Sequence, residues 1–122
     1  MLLHLEGIPQ NDVINFNPPD IDFSLKQSVQ VKQILIQWSE PVENVFGSLC
    51  TSLIDCSVSN PDQRLCYFNQ TIKSNHLLFT PPGGLWYKIQ LWSLKQTIFK
   101  LQLSEKHQIE KIKLILEISN GF

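Results

Sequence analysis

Three histidines and three cysteines are the residues of this chain that could act as metal ligands or nucleophiles. They are His4, His76 and His107, and Cys50, Cys56 and Cys66. Zinc ligands commonly stand a few residues apart, as in a Cys-x-x-Cys pair. No two of these six residues are that close in the sequence. We therefore expect no metal site, and we expect the histidines to lie in turns or at the surface.

The cysteines are odd in number and are not spaced like a disulfide framework. We expect them to be buried free thiols on strands, with a Cys56–Cys66 bridge as the alternative under oxidising conditions. Nucleophilic catalysis would need the fold to bring a histidine beside Cys50 or Cys66. Asp55, at the end of a strand, is expected to bond to turn backbone. With no catalytic constellation in the sequence, we predict no enzyme activity and no cofactor.

Three aromatic residues follow the turn Pro81-Pro82-Gly83-Gly84, namely Trp86, Tyr87 and Trp92. They could stack on a sugar or a base, as in a lectin-like module. In a strand-rich domain such residues more often fill a core or a subunit contact. The turn lacks the lysine and the spacing of a phosphate-binding loop. We therefore predict that these residues fill the core or a subunit contact, with a ligand-stacking site as the alternative.

Charge and hydropathy argue against two classes of partner. The net charge is −1, and Arg64 is the only arginine among ten basic residues, so the chain has no field that would attract nucleic acid. No apolar run approaches the roughly 20 residues of a membrane-spanning helix. The start, Met1 to Glu6, has no basic segment and meets a glutamate early, unlike a secretory signal. We expect an intracellular product, or a mature piece that travels inside a particle.

The clearest structural pattern lies in the last block, Ile109 to Ile118. Its apolar and charged residues alternate with a period of two, as in a strand with one buried face. Ile112, Leu114, Leu116 and Ile118 share one face, and Lys111, Lys113 and Glu117 share the other. Ile115 lies on the charged face, where an apolar side chain would suit a contact with another subunit. We predict that Ile115 is an assembly or ligand contact.

Similar blocks recur towards the N-terminus, and the chain contains no alanine, the best helix former. Val29 to Trp38 changes phase near Lys32-Gln33, which predicts a bulge, and Glu40-Pro41 should end that strand. The other predicted strands are 46–55, 65–68, 77–80, 86–92, 97–103 and a short one near 2–5, with a polar connection at 69–75. This makes about eight strands, which predicts an all-β, antiparallel sandwich of jelly-roll type.

An immunoglobulin-like sandwich is the alternative fold, although its Cys…Trp…Cys order is missing because Trp38 precedes all three cysteines. We divide the chain into residues 1–22 and 23–122. The first part is an N-terminal arm, or a first strand with a Pro-rich loop, since Pro18-Pro19 cannot continue a helix. The second part is a single β-sandwich domain.

In their order, these blocks resemble the C-terminal strands of single-jelly-roll minor capsid (penton-type) proteins of adenovirus-like viruses, virophages and Polinton-type elements. The resemblance covers about residues 48–118 and is carried by Ser52-Leu53-Ile54-Asp55, Arg64-Leu65-Cys66-Tyr67-Phe68, Leu78-Phe79-Thr80-Pro81-Pro82, Trp86-Tyr87-Lys88-Ile89-Gln90, Phe99-Lys100-Leu101 and Ile112 to Ile118. It implies a non-enzymatic capsid subunit that forms homo-oligomers and contacts other capsid subunits. It also implies a location in the virion or the host-cell interior.

Overall fold

The computed structural model describes residues 2–10, 13–16, 27–51, 66–81, 86–89, 98–105 and 108–120. All regular elements in these residues are strands. They are β1 (Leu2–Gln10), β2 (Val13–Phe16), β3 (Gln27–Thr51), β4 (Cys66–Phe79), β5 (Trp86–Ile89), β6 (Phe99–Leu103) and β7 (Ile109–Asn120). Every strand pair is antiparallel. The prediction of an all-β, antiparallel fold is therefore confirmed.

Five strands close into a small barrel. The hydrogen-bonded order runs β3–β6–β2–β1–β7, and β7 pairs again with β3. β4 and β5 lie outside this ring, and each pairs with β3. The described residues thus form seven strands arranged as a ring with two added strands, where about eight strands in a sandwich had been predicted.

The long strand β3 reverses its direction within the ring. Five strands can all be antiparallel to their neighbours only if one of them turns back on itself. β3 pairs with β7 over Gln27–Trp38 and with β6 over Gly47–Thr51. Between these two stretches, its pairing with β4 shifts register between Gln37 and Val42 and between Val42 and Asn44. Such bulges bend a strand sharply, so one continuous strand supplies two sides of the barrel.

Two strand boundaries predicted from the sequence are wrong. β3 continues through Glu40-Pro41 because the proline falls within the register shift, where its missing N–H breaks no regular ladder bond. β4 is one strand of 14 residues instead of two short strands with a polar connection at 69–75. Its polar middle part pairs with β3, and Thr71 Oγ1 donates a hydrogen bond to Asn44 Oδ1 over 2.7 Å.

Alternation along the strands places the core inside the barrel. The predicted inward residues of β7, from Ile112 to Ile118, are buried. The predicted bulge near Lys32-Gln33 is confirmed, because the β3–β7 register shifts between Val31 and Gln33. That shift brings residues of both phases of β3 into the core. The largest fully buried side chains are Trp38, Phe16, Phe99, Ile14, Ile34, Ile36, Leu49, Leu101, Leu114 and Leu116.

The N-terminal segment contributes directly to the barrel. β1 pairs with β7 over Leu2–Glu6 and with β2 over Gly7–Gln10. β2 then pairs with β6. Within residues 1–22, Leu2–Gln10 thus forms one strand of the barrel. Residues 17–22, with Pro18-Pro19, lie outside the described part of the chain.

Candidate functional site

The outer face of the sheet β1–β7–β3–β4 carries the residue that the sequence singled out, Ile115. Since neighbours along a strand point to opposite faces, the buried positions Leu114 and Leu116 turn Ile115 outwards. The register aligns it with His4 on β1 and Gln33 on β3. Its side chain is half-buried. Ile115 therefore lies in the middle of a four-stranded outer face, between two polar side chains.

A groove of about 450 Å³ runs over this face, and we call it the outer groove. Its exposed apolar surface comes from Ile115 and from a cross-strand pair, Leu35 and Leu78. Leu78 keeps 54% of its surface exposed. Residues from β1, β3, β4 and β7 line the groove: His4, Gln33, Leu35, Ile36, Gln37, His76, Leu77, Leu78, Lys111, Lys113 and Ile115.

Among the residues that the structure describes, the titratable side chains that line the outer groove are all bases. They are His4, His76, Lys111 and Lys113. The nearby carboxylates point to other partners: Glu117 forms an ion pair of 3.0 Å with Lys32, and Glu110 accepts a hydrogen bond from Gln37. Glu6 is exposed opposite Lys113 but does not line the groove. The groove thus combines an apolar floor with a basic rim.

A second exposed apolar surface lies where β4 pairs with the second half of β3. Phe46 pairs with Asn69, and Tyr67 pairs with Ser48, so the two aromatic residues are diagonal neighbours on one face. Phe46 is 38% exposed and Tyr67 is 59% exposed. Ser48, opposite Tyr67, has a buried Oγ without a hydrogen-bond partner in the described part of the chain. We call Phe46, Ser48 and Tyr67 the ribbon patch.

Of the other predicted contact residues, only Trp86 and Tyr87 belong to the part of the chain that the structure describes. Trp86 and Tyr87 belong to β5, where their backbones pair with Gln30 and Val29. Gln30 also pairs with Glu117 on β7, so β5 lies near the end of the sheet that carries Ile115. Trp92 lies outside the described residues. The structure thus places the backbone of Trp86 in the same sheet as Ile115.

The two histidines that the structure describes, His4 and His76, do not form a metal centre. Among the residues that the structure describes, no group of three or more His, Cys, Asp or Glu side chains could hold a metal ion. His4 and His76 lie on separate strands of the outer groove, whereas His107 and Asp55 fall outside the description. Nδ1 of His76 is 3.2 Å from Ser74 Oγ and 3.3 Å from Asn75 Oδ1. Neutral neighbours therefore hold this ring on β4.

The cysteine predictions need two corrections. Cys50 is disulfide-bonded, so it is not the buried free thiol that was expected. Cys66 is free, which rules out the alternative Cys56–Cys66 bridge. The register of β4 places Cys66 opposite Leu49 on β3. Cys56 itself lies outside the described residues.

Cys66 should react slowly with alkylating reagents in the folded protein. Burial raises the pKa of its thiol from 9.0 to about 12, and the thiolate is the reactive form. We expect iodoacetamide at mildly alkaline pH to modify Cys66 far faster in urea than in buffer, as read by mass spectrometry of its peptide. Equal rates would contradict this.

The same pKa shift has a consequence for stability. The thiol ionises more easily in the unfolded chain than in the folded protein. The free energy of unfolding should therefore fall as pH rises from 9.0 towards about 12. Comparison with a Cys66→Ala variant isolates this contribution from those of other groups.

Sequence inspection missed most residues of both surfaces. His4, Leu35, His76 and Leu78 face one groove only because three strand pairings align them. For Phe46 the sequence contains a signal. Its side chain points to the same face of β3 as that of Ser48, and to the opposite face from that of the buried Leu49. Tyr67 likewise precedes the buried Phe68. An aromatic residue on the polar phase of a strand was thus the detectable sign.

Comparisons with known proteins identify no relative: no protein-family model, no curated protein and no solved structure matches this chain. The part of the chain that the structure describes has no helix of the length and apolar character needed to cross a membrane.

Proposed function

We propose that this chain is a non-enzymatic structural protein whose copies assemble with one another, as a capsid subunit of the penton or minor type. The observation that carries this proposal is the ribbon patch, two exposed aromatic residues side by side on strands β3 and β4. Aromatic residues are enriched in protein–protein interfaces and often dominate their energetics. A neighbouring subunit that covers Phe46 and Tyr67 would remove this apolar surface from water.

One further feature of β3 and β4 supports assembly. In the described part of the chain, β4 has β3 as its only strand neighbour. The free edge of a strand is a template for pairing with another chain, so β4 offers such an edge to a second subunit.

The capsid class rests on the resemblance of residues 48–118 and on the way strands change neighbours. β1 pairs first with β7 and then with β2, and β3 pairs first with β7 and then with β6. Bends that let a strand change its neighbours also form the corners of barrel-like sandwiches. This feature is compatible with the proposed jelly-roll-type sandwich.

Introducing positive charges into the patch tests the proposal. We expect the wild-type protein to form oligomers, and the double variant Phe46→Lys/Tyr67→Lys to shift to monomer, because two desolvated ammonium groups would oppose the contact. Molar mass from light scattering during size-exclusion chromatography measures this. The matched control is Leu2→Lys/Ile8→Lys, which replaces two β1 residues that are 57% and 45% exposed.

The control should retain the wild-type mass. Both double variants should keep the circular dichroism spectrum of a folded β-protein, so that a change in mass reports on the interface. The same loss of mass in both double variants would show that the effect is not specific to the ribbon patch and would contradict its role. Wild-type protein that stays monomeric at high concentration would contradict the assembly proposal as a whole.

A further inference from the structure

We propose that the outer groove binds an extended peptide segment of a second protein, in which carboxylate and apolar side chains alternate. This goes beyond the proposed assembly, because the groove and the ribbon patch are different surfaces with no residue in common. Three features of the groove support this binding: its charge, its apolar floor and the spacing of residue rows along its strands.

The charges of the groove-lining residues indicate the kind of partner. Among the described residues, the four titratable side chains of the lining are lysines and histidines, and no carboxylate lines the groove. Neither Lys111 nor Lys113 forms an ion pair with another described residue, and Glu6, which lies opposite Lys113 on β1, does not line the groove. A rim with an excess of positive charge attracts acidic groups and repels basic ones. A segment that carries aspartate or glutamate therefore fits this rim.

The floor explains why the partner needs apolar side chains as well. Ile115 and the Leu35–Leu78 pair occupy neighbouring rows of the outer face, two residues apart along β7. At roughly 3.4 Å per residue, this puts the rows about 7 Å apart. That is also the separation of residues i and i+2 in an extended peptide. Such a peptide can place two apolar side chains on the floor.

A second copy that binds through the same face fits poorly. A two-fold contact brings the same surface patch of both copies together, so two groove rims that carry lysines and histidines would meet. Like charges in an interface are unfavourable. The glutamines Gln33 and Gln37 instead offer amide donors and acceptors to the backbone of an extended peptide. These contacts favour a separate, acidic partner.

Fluorescence anisotropy with labelled synthetic peptides tests this proposal on the full chain. We expect a peptide of alternating aspartate and leucine to bind, and to bind more weakly as salt is raised. Peptides of alternating lysine and leucine, or of aspartate and serine, should not bind. The variant Lys111→Glu/Lys113→Glu should weaken binding at least about tenfold, since attraction becomes repulsion.

The matched control is Lys73→Glu/Lys100→Glu, which makes the same change in net charge at lysines outside the groove and should leave binding unchanged. Lys111→Gln/Lys113→Gln removes the charges without reversing them and should give an intermediate loss. Equal loss in the control, equal binding of all peptides, or no binding of the aspartate–leucine peptide would overturn the proposal. Light scattering on the groove variants keeps the two proposals apart, because self-assembly through the ribbon patch should persist.

Discussion

Replacing Trp38 with alanine is expected to lower the free energy of unfolding by about 3–5 kcal/mol. The indole is completely buried, and its Nε1 donates a hydrogen bond to the backbone oxygen of Glu105 over 3.0 Å. Trp38 is also the last residue of β3 that pairs with β7, just before the strand turns away. Its loss would leave a large cavity where β3, β7 and the β6–β7 turn meet.

Urea denaturation followed by far-ultraviolet circular dichroism measures this effect without using tryptophan fluorescence. Trp38→Phe is the matched variant, because it keeps most of the buried volume and removes the hydrogen bond. We expect it to be clearly more stable than Trp38→Ala, although less stable than the wild type. A stability of Trp38→Ala within about 1 kcal/mol of wild type would show that the indole does not hold this corner.

Gly47→Ala is expected to cost about 1–3 kcal/mol, although alanine normally favours a strand more than glycine does. Gly47 lies on β3 between Phe68 of β4 and Leu103 of β6. A Cβ atom at this position would lie 2.2 Å from Cζ of Phe68. That ring is buried and packs on Phe79 with a centroid distance of 5.0 Å, so it has little room to move.

A double-mutant cycle separates this clash from a general effect of the substitution. Phe68→Leu removes the part of the ring that a new methyl group would meet, so Gly47→Ala should cost clearly less in the Phe68→Leu background. The unfolding free energies of the wild type and the three variants, measured in urea, give the coupling. Additive costs would contradict the close packing of Phe68 over Gly47.

Local patterns in the sequence predict part of this fold correctly. The alternation from Ile112 to Ile118 identifies the buried face of β7, and the phase change at Lys32-Gln33 identifies a bulge. Both signals depend on residues that are close in sequence. The continuation of β3 past Pro41, and the polar middle of β4, could not be predicted in this way. There, pairing between strands outweighs local propensity, as Asn44 and Thr71 illustrate.

The candidate surfaces could likewise be predicted only where the signal lies within one strand. Ile115 could be identified because its outward phase is visible within one strand. The outer groove could not, since His4, His76 and Lys111 come from three strands whose alignment depends on long-range register. The disulfide at Cys50 escaped prediction for a similar reason, because cysteine spacing alone does not determine pairing.

Sedimentation velocity of the wild-type chain, over a range from micromolar to near-millimolar concentration, shows directly whether its copies associate. Self-assembly through the ribbon patch predicts a concentration-dependent shift from monomer to a defined larger species. The Phe46→Lys/Tyr67→Lys variant should lack that species, and the Leu2→Lys/Ile8→Lys control should retain it. A single monomeric boundary for the wild type at every concentration would be incompatible with self-assembly.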